Sequence, residues 1–418
     1  MTHLRTAYDR VVQHLDEDEI VGLCLEFGNT ESGFGLEGAA GQLLYDWLDE
    51  HGFGPRKVGL LEDRFNVVGT LSGGGGPTLA LNSHLDTGRN RHVPFLLRDP
   101  DKAWYHSAWV DDDIIVGDGV INDKGPLASF LIAAKAIREA GIELGGDLYL
   151  QGVCGEIGQE PVDEFQGVGY QSKDIGCRYL LTHGPAIPDR AIVAEATSFT
   201  LVGLEPGKLH VKVTTYGTET YTPYLADDRY ERNAITTMMT ALETLQGWIE
   251  EYEARSVLET SVGTCIPKVN VGAIRGGQPF RMTHTPEVCS IYLDIRLPPE
   301  ALPGPVLREL EQALSAHDDV DVEPFAYRPG HIVEGDDELI EGVGEAHEIV
   351  CGESIELGVG PTASMWRDIN VFNELAIPAI TYGPPRAYRD GMAGVMIEDI
   401  LRSARFYAAA SLRLCGVR

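Results

Sequence analysis

The chain is predicted to fold as an α/β domain with a mostly parallel sheet, interrupted by a smaller α+β domain. Three observations carry this. Strand-like and helix-like signals alternate through the first part of the sequence, the texture changes near residue 200 to alternating β-branched strands with two amphipathic helices, and the first texture returns near residue 330. The expected boundaries are 1–200 and 329–418 for the larger domain and 201–328 for the insert. A chain of 418 residues is long enough to bury two cores.

Each element follows in order. Leu36–His51 has apolar residues at helical spacing and stops at Gly52 or Gly54. Lys57–Leu61, Asn66–Leu71 and Thr78–Leu81 read as strands, the last two separated by the turn Ser72-Gly73-Gly74-Gly75-Gly76-Pro77. No helix follows that glycine run directly and no lysine closes it, so it is a turn and not a phosphate cradle. Gly125–Gly141 reads as a helix, and Asp147–Cys154, Tyr179–Leu181 and Ala191–Ala194 as strands. In the insert, Phe199–Leu204, Leu209–Tyr216, Val269–Ile274, Val288–Leu297 and Val320–Tyr327 read as strands, with helices at Asn233–Ala254 and Leu302–His317. A helix at Asp336–Val350, a strand at Ala376–Tyr382 and a helix at Ile397–Leu414 complete the larger domain.

Composition excludes several functions. Lys and Arg number 33 against 64 Asp and Glu, a net charge of −31 that repels phosphate backbones and anionic lipid. No nucleic-acid or membrane partner is therefore expected. No apolar run approaches the roughly 20 residues that span a bilayer, and Met1–Thr6 leads into a charged stretch without a signal core. The seven cysteines are scattered with no CxxC pair, which fits a reducing compartment and argues against a disulfide framework or a zinc–thiolate site. A cytoplasmic protein is expected.

Four segments carry chemistry. Leu79–Thr87 ends an apolar strand on His84 and Asp86, two apart, where α/β sheets place ligands. The carboxylate at that spacing can orient the imidazole through its second nitrogen. Gly117–Ala128 is a glycine-punctuated loop entering a helix, with Asn122 and Asp123 at its start; both are also ordinary N-cap residues. Gly152–Gly158 and Ile192–Thr197 are further strand ends, presenting Glu156 and Glu195. Singly, each is a common polar contact. Together they supply a set of hard and borderline metal ligands.

In this order, Ser-His-Leu-Asp-Thr, Gly-Asp-Gly-Val-Ile-Asn-Asp-Lys-Gly, Gly-Glu-Ile-Gly and Glu-Ala-Thr resemble the M20 metallopeptidase family of deacylases, dipeptidases and carboxypeptidases. Asn233-Ala234-Ile235, Val269–Gly277, Asp294–Leu297 and Ile377–Pro384 extend the resemblance over about residues 10–415. It implies a metallopeptidase-like catalytic domain bearing two metals, interrupted by a lid domain that often dimerises. A homo-oligomer through the lid and a small-molecule substrate are expected.

The departures from that pattern modify the expectation. The positions that hold the family's first metal are His84, Asn122 and Glu195, so one acidic ligand has become an amide. The second metal loses its bridging carboxylate, and its late histidine falls on Arg389 or Tyr388. One divalent metal per chain is therefore expected: Mn²⁺ first, with Zn²⁺, Co²⁺ or Fe²⁺ as alternatives. Asp86 would orient His84. Glu156 aligns with a ligand of the lost metal and Gly155 with the usual general base, which leaves Glu156 as general base or as ligand. The lid histidine falls on Tyr221, and a late acidic position reads Met365 in Ser364-Met365-Trp366-Arg367.

Arg389, Tyr388, Tyr221 and Arg367 are the expected substrate-binding groups, arginine for its fork toward a carboxylate or nitro group and the aromatics for a flat ring. Surface ion pairing is the competing role for any one arginine in so acidic a chain. The pattern of losses also resembles a single-metal aminohydrolase of this family, and that resemblance implies metal-dependent hydrolysis of a C–N bond, in its narrowest form the deamination of an electron-poor aminobenzoate: 5-nitroanthranilate to 5-nitrosalicylate and ammonia, by aromatic substitution. The alternatives are an M20-type dipeptidase or N-acyl-amino-acid deacylase, and a non-catalytic binding relative.

Overall fold

The computed structural model describes residues 2–88, 98–99, 101–185, 187–230, 232–317, 319–333, 337–358 and 363–418. Two compact units divide it: Met1–Gly203 with Val333–Gly358 and Arg367–Arg418, and Leu204–Ile332 with Val359–Trp366.

The first unit is built on six strands in the order Arg56–Val58, Asn66–Leu71, Leu148–Val153, Leu79–His84, Arg190–Val193, Ala379–Thr381. The last four run parallel, Asn66–Leu71 pairs antiparallel with Leu148–Val153, and Arg56–Val58 pairs antiparallel with Asn66–Leu71 at the edge. Leu79–His84 and Leu148–Val153 are buried along their whole length, as central strands covered on both faces must be. Gly125–Glu139 starts with Pro126 in its first turn, where a missing N–H costs nothing, and buries most of its length. It packs on the C-terminal helix Ile397–Leu414.

Three sequence expectations change. Tyr179–Leu181 lies in the short helix Cys177–His183, closed by glycines on both sides; so short an apolar run carries no periodicity to separate strand from helix. Phe199–Leu204 forms only single bridges at Leu201 and Val202 and the two-residue strand Leu204–Glu205. A small second sheet of Ala387–Arg389, Met392–Met396, Ile114–Val116 and Trp109–Asp111 was not anticipated, its strands being too short to show alternation.

The second unit is a four-stranded antiparallel sheet in the order Val269–Gly276, Val288–Leu297, Gly207–Tyr216, Val320–Arg328. Helices Ala234–Arg255 and Pro303–Leu314 close its core of Leu209, Val211, Val213, Met238, Leu245, Ile291, Leu293 and Leu310. Asn233 caps the longer helix by accepting from Ile235 N at 2.9 Å.

Candidate metal centre

The site lies at the carboxyl ends of three adjacent parallel strands. His84 is the last residue of its strand and pairs in register with Val153, so Glu156 follows three residues beyond the neighbouring strand. Glu195 follows two residues beyond Arg190–Val193 on the other side. Asp123 enters from the loop before helix Gly125–Glu139, directly after the cis peptide Asn122–Asp123.

One ligand atom each from His84, Asp123 and Glu195 lie within 4.8 Å of one another, and all three residues are buried. Asp123 Oδ2 accepts from the Ser83 hydroxyl at 2.6 Å, and Glu195 Oε2 accepts from Arg367 Nε at 2.8 Å. The second oxygens, Asp123 Oδ1 and Glu195 Oε1, are buried without a hydrogen-bond partner. Two orphaned carboxylate oxygens beside an imidazole fit a divalent cation, because burial without a donor is costly and a cation removes the cost.

The imidazole is fixed from behind. His84 Nδ1 lies 2.8 Å from the backbone carbonyl of Asp86 and 3.6 Å from its carboxylate, so Nδ1–H donates there and Nε2 is left as the ligand atom. Asp86 is in turn held by the backbone N–H of Glu156 at 3.1 Å and of Ile157 at 2.7 Å. Burial alone would lower the His84 pKa, but the carboxylates of Asp123, Asp86, Glu156 and Glu195 raise it to about 9. Burial, and after it the Glu195 charge, pushes the Asp123 carboxyl well above its usual range. The cluster holds more negative charge than its surroundings balance.

The other expected site residues divide. Glu156 is present beside the cluster, but its carboxylate is ion-paired to Lys173. Arg367 is present and clamps Glu195, also donating to the Ala196 carbonyl at 3.3 Å. Asn122 is half-buried and immediately precedes Asp123, the carboxylate that the structure gathers with His84 and Glu195. Arg389 donates to the Asp111 carbonyl and to Asp113 Oδ1, both at 2.7 Å, which is the surface pairing weighed for it above. Tyr388 is 68% exposed. Tyr221 belongs to the second unit, where it stacks on His284 with ring centroids 5.1 Å apart.

Sequence reasoning passed over three residues. Asp123 was visible only as a possible cap. Lys173 lies in the four-residue helix Ser172–Ile175 and belongs to no motif. Asp368 is buried next to Arg367, and burial together with the Glu156 charge raises its carboxyl to about 7.

Fold and site together define a metallohydrolase with its ligands at the ends of a parallel sheet and a smaller unit inserted. The chain matches peptidase family M20/M25/M40 over residues 80–413 and belongs to that family. It is an enzyme of the M20 hydrolase type. Among curated proteins, it is 34% identical over 133 residues to N-formyl-4-amino-5-aminomethyl-2-methylpyrimidine deformylase of Bacillus subtilis, covering 30% of this chain and 29% of that protein. It is 26% identical over 343 residues to a protein of Pyrobaculum aerophilum named provisionally as a LysW-lysine/LysW-ornithine hydrolase, covering 81% of this chain and 77% of the relative. The fold matches the di-peptidase Dug1p of Saccharomyces cerevisiae with a TM-score of 0.72, at 12% identity and 99% coverage of both chains. Human carnosine dipeptidase 1 matches with a TM-score of 0.70, at 15% identity, covering 98% of this chain and 99% of that one. Among the described residues, no helix is long and apolar enough to cross a membrane.

Proposed function

We propose that the chain hydrolyses an amide C–N bond of a small molecule, using a single divalent metal held by His84, Asp123 and Glu195. The observation that carries this reading is the convergence of three ligand atoms within 4.8 Å, two of the residues keeping a buried, unbonded carboxylate oxygen. One imidazole and two carboxylates suit Mn²⁺, and also Zn²⁺, Co²⁺ or Fe²⁺. Such an ion, when bound, supplies a Lewis acid that polarises a carbonyl and acidifies water.

The chain's own residues do the rest. Asp86 fixes the His84 tautomer, and Arg367 turns Glu195 so that one oxygen faces the cluster. Glu156 is the group we assign to accept the proton of the attacking water, and Lys173 pairs with its carboxylate and fixes where it points. The names of the relatives, a deformylase, a LysW-lysine hydrolase and dipeptidases, support hydrolysis at an amide C–N bond.

Deamination of 5-nitroanthranilate needs cationic or phenolic groups at the ring. Arg389 is spent on Asp111 and Asp113, and Tyr388 faces solvent, so amide hydrolysis is the reading the geometry favours. We also propose self-association through the second unit, whose edge strand Val269–Gly276 exposes Ile274; sedimentation velocity tests it. The activity test incubates metal-stripped and Mn²⁺-loaded protein with N-formyl and N-acyl amino acids, dipeptides and 5-nitroanthranilate. Amine release from amides only when metal is present supports the proposal. Ammonia release from the nitroanthranilate alone overturns it in favour of aromatic substitution.

A further inference from the structure

The backbone after strand Leu148–Val153 excludes one side chain and brings in another. Gly155 has φ +69, and a Cβ there would lie 2.4 Å from the Ser172 carbonyl oxygen. No other residue fits without moving the backbone of Ser172. The same close approach seats the helix Ser172–Ile175 against the strand end, and its next residue, Lys173, pairs with Glu156. The side chains of Lys173 and Glu156 are only 4% and 10% exposed, so this is an interior ion pair and not a surface one.

The charges around it decide what else fits. Asp86, Asp123, Glu156, Glu195 and Asp368 influence one another and His84 electrostatically, while Lys173 and Arg367 are the fixed cations among them. Arg367 is bonded to Glu195. By formal charge this group stands at −3, and one divalent ion at His84, Asp123 and Glu195 takes it to −1, which leaves no excess of acid that calls for a further divalent ion. A second divalent ion at Glu156 would have to share that carboxylate with the buried ammonium of Lys173, and like charges drawn to one buried carboxylate repel.

We propose that Lys173 is a built-in cation that takes the place of a second divalent metal at Glu156, so that the centre holds one ion and not two. The inference rests on the one-metal reading of His84, Asp123 and Glu195 and deepens it. Lys173 acts here as a positioning residue that fixes metal number and holds the Glu156 carboxylate in place.

The experiment counts metal. Chelator-stripped wild type, K173M, K173R and the double variant E156Q/K173M are titrated calorimetrically with Mn²⁺, and bound metal is measured after gel filtration. The expected result is one ion for wild type and K173R, two for K173M, and one again for the double variant. Two ions on wild type overturn the inference without reference to any variant's folding. One ion on a K173M chain whose circular dichroism and melting match wild type also overturns it. No ion on wild type refutes the metal reading itself, which separates the two failures.

Discussion

Arg367 donates from Nε to Oε2 of Glu195 at 2.8 Å, with both side chains buried. The bond fixes which carboxylate oxygen faces inward. Glu195 Oε1 is left unbonded beside Asp123 and His84, so a residue outside the proposed ligand set determines which oxygen Glu195 has free for a cation.

Removing that guanidinium should therefore weaken metal binding. Arg367→Met is expected to lower Mn²⁺ affinity by roughly 10–100-fold, as loss of a partner behind a ligand typically does. Arg367→Lys should recover little, because the single nitrogen of an ammonium cannot stand at both positions from which Nε reaches Glu195 and Nη2 the Ala196 carbonyl. Calorimetric titration of both variants checks this.

Glu156 is assigned to proton transfer. Glu156→Gln should leave the metal bound and reduce kcat by roughly 10²–10⁴-fold on whichever amide proves to be a substrate. Loss of metal with turnover per bound metal unchanged would make Glu156 a ligand.

The interior pair behind the site contributes to stability. Arg64 bonds Glu37 through Nε at 2.7 Å and Nη2 at 2.8 Å, with Glu37 fully buried. Arg64→Ala strands that carboxylate and should cost about 3–5 kcal/mol. Urea unfolding followed by circular dichroism measures it.

In the second unit, burial would raise the Asp294 carboxyl, but the His210 imidazole and Arg296 guanidinium bring it down to about 2. A folded pKa below the unfolded one gives stability that is full above the unfolded value near 4 and is lost as pH falls through 2. The contribution is on the order of 2 kcal/mol at neutral pH. The melting difference between wild type and Asp294→Asn should thus shrink by about half from pH 6 to pH 3. A difference independent of pH would contradict it.

The sequence displays the parallel sheet because its central strands are buried on both faces and leave continuous apolar runs such as Leu79–Leu81 and Leu148–Leu150. His84, Asp86, Glu156 and Glu195 are legible for the same reason, each sitting at or just past the end of such a run. The helix Ser172–Ile175 and the strand Ala387–Arg389 are too short to carry a period, so neither the Lys173 contact nor the outward pairing of Arg389 with Asp113 is written in local sequence. Asn122 and Asp123 are adjacent polar residues in one loop. The structure gathers the Asp123 carboxylate with His84 and Glu195, a grouping that the loop sequence alone does not show.

Metal content tests the role of Asp123 most directly. Bound metal per chain is determined for wild type, Asp123→Asn and Asn122→Ala after loading with Mn²⁺ and removal of excess. The expected result is one ion in wild type and in Asn122→Ala, and none retained in Asp123→Asn. One ion retained by Asp123→Asn and none by Asn122→Ala would contradict the account.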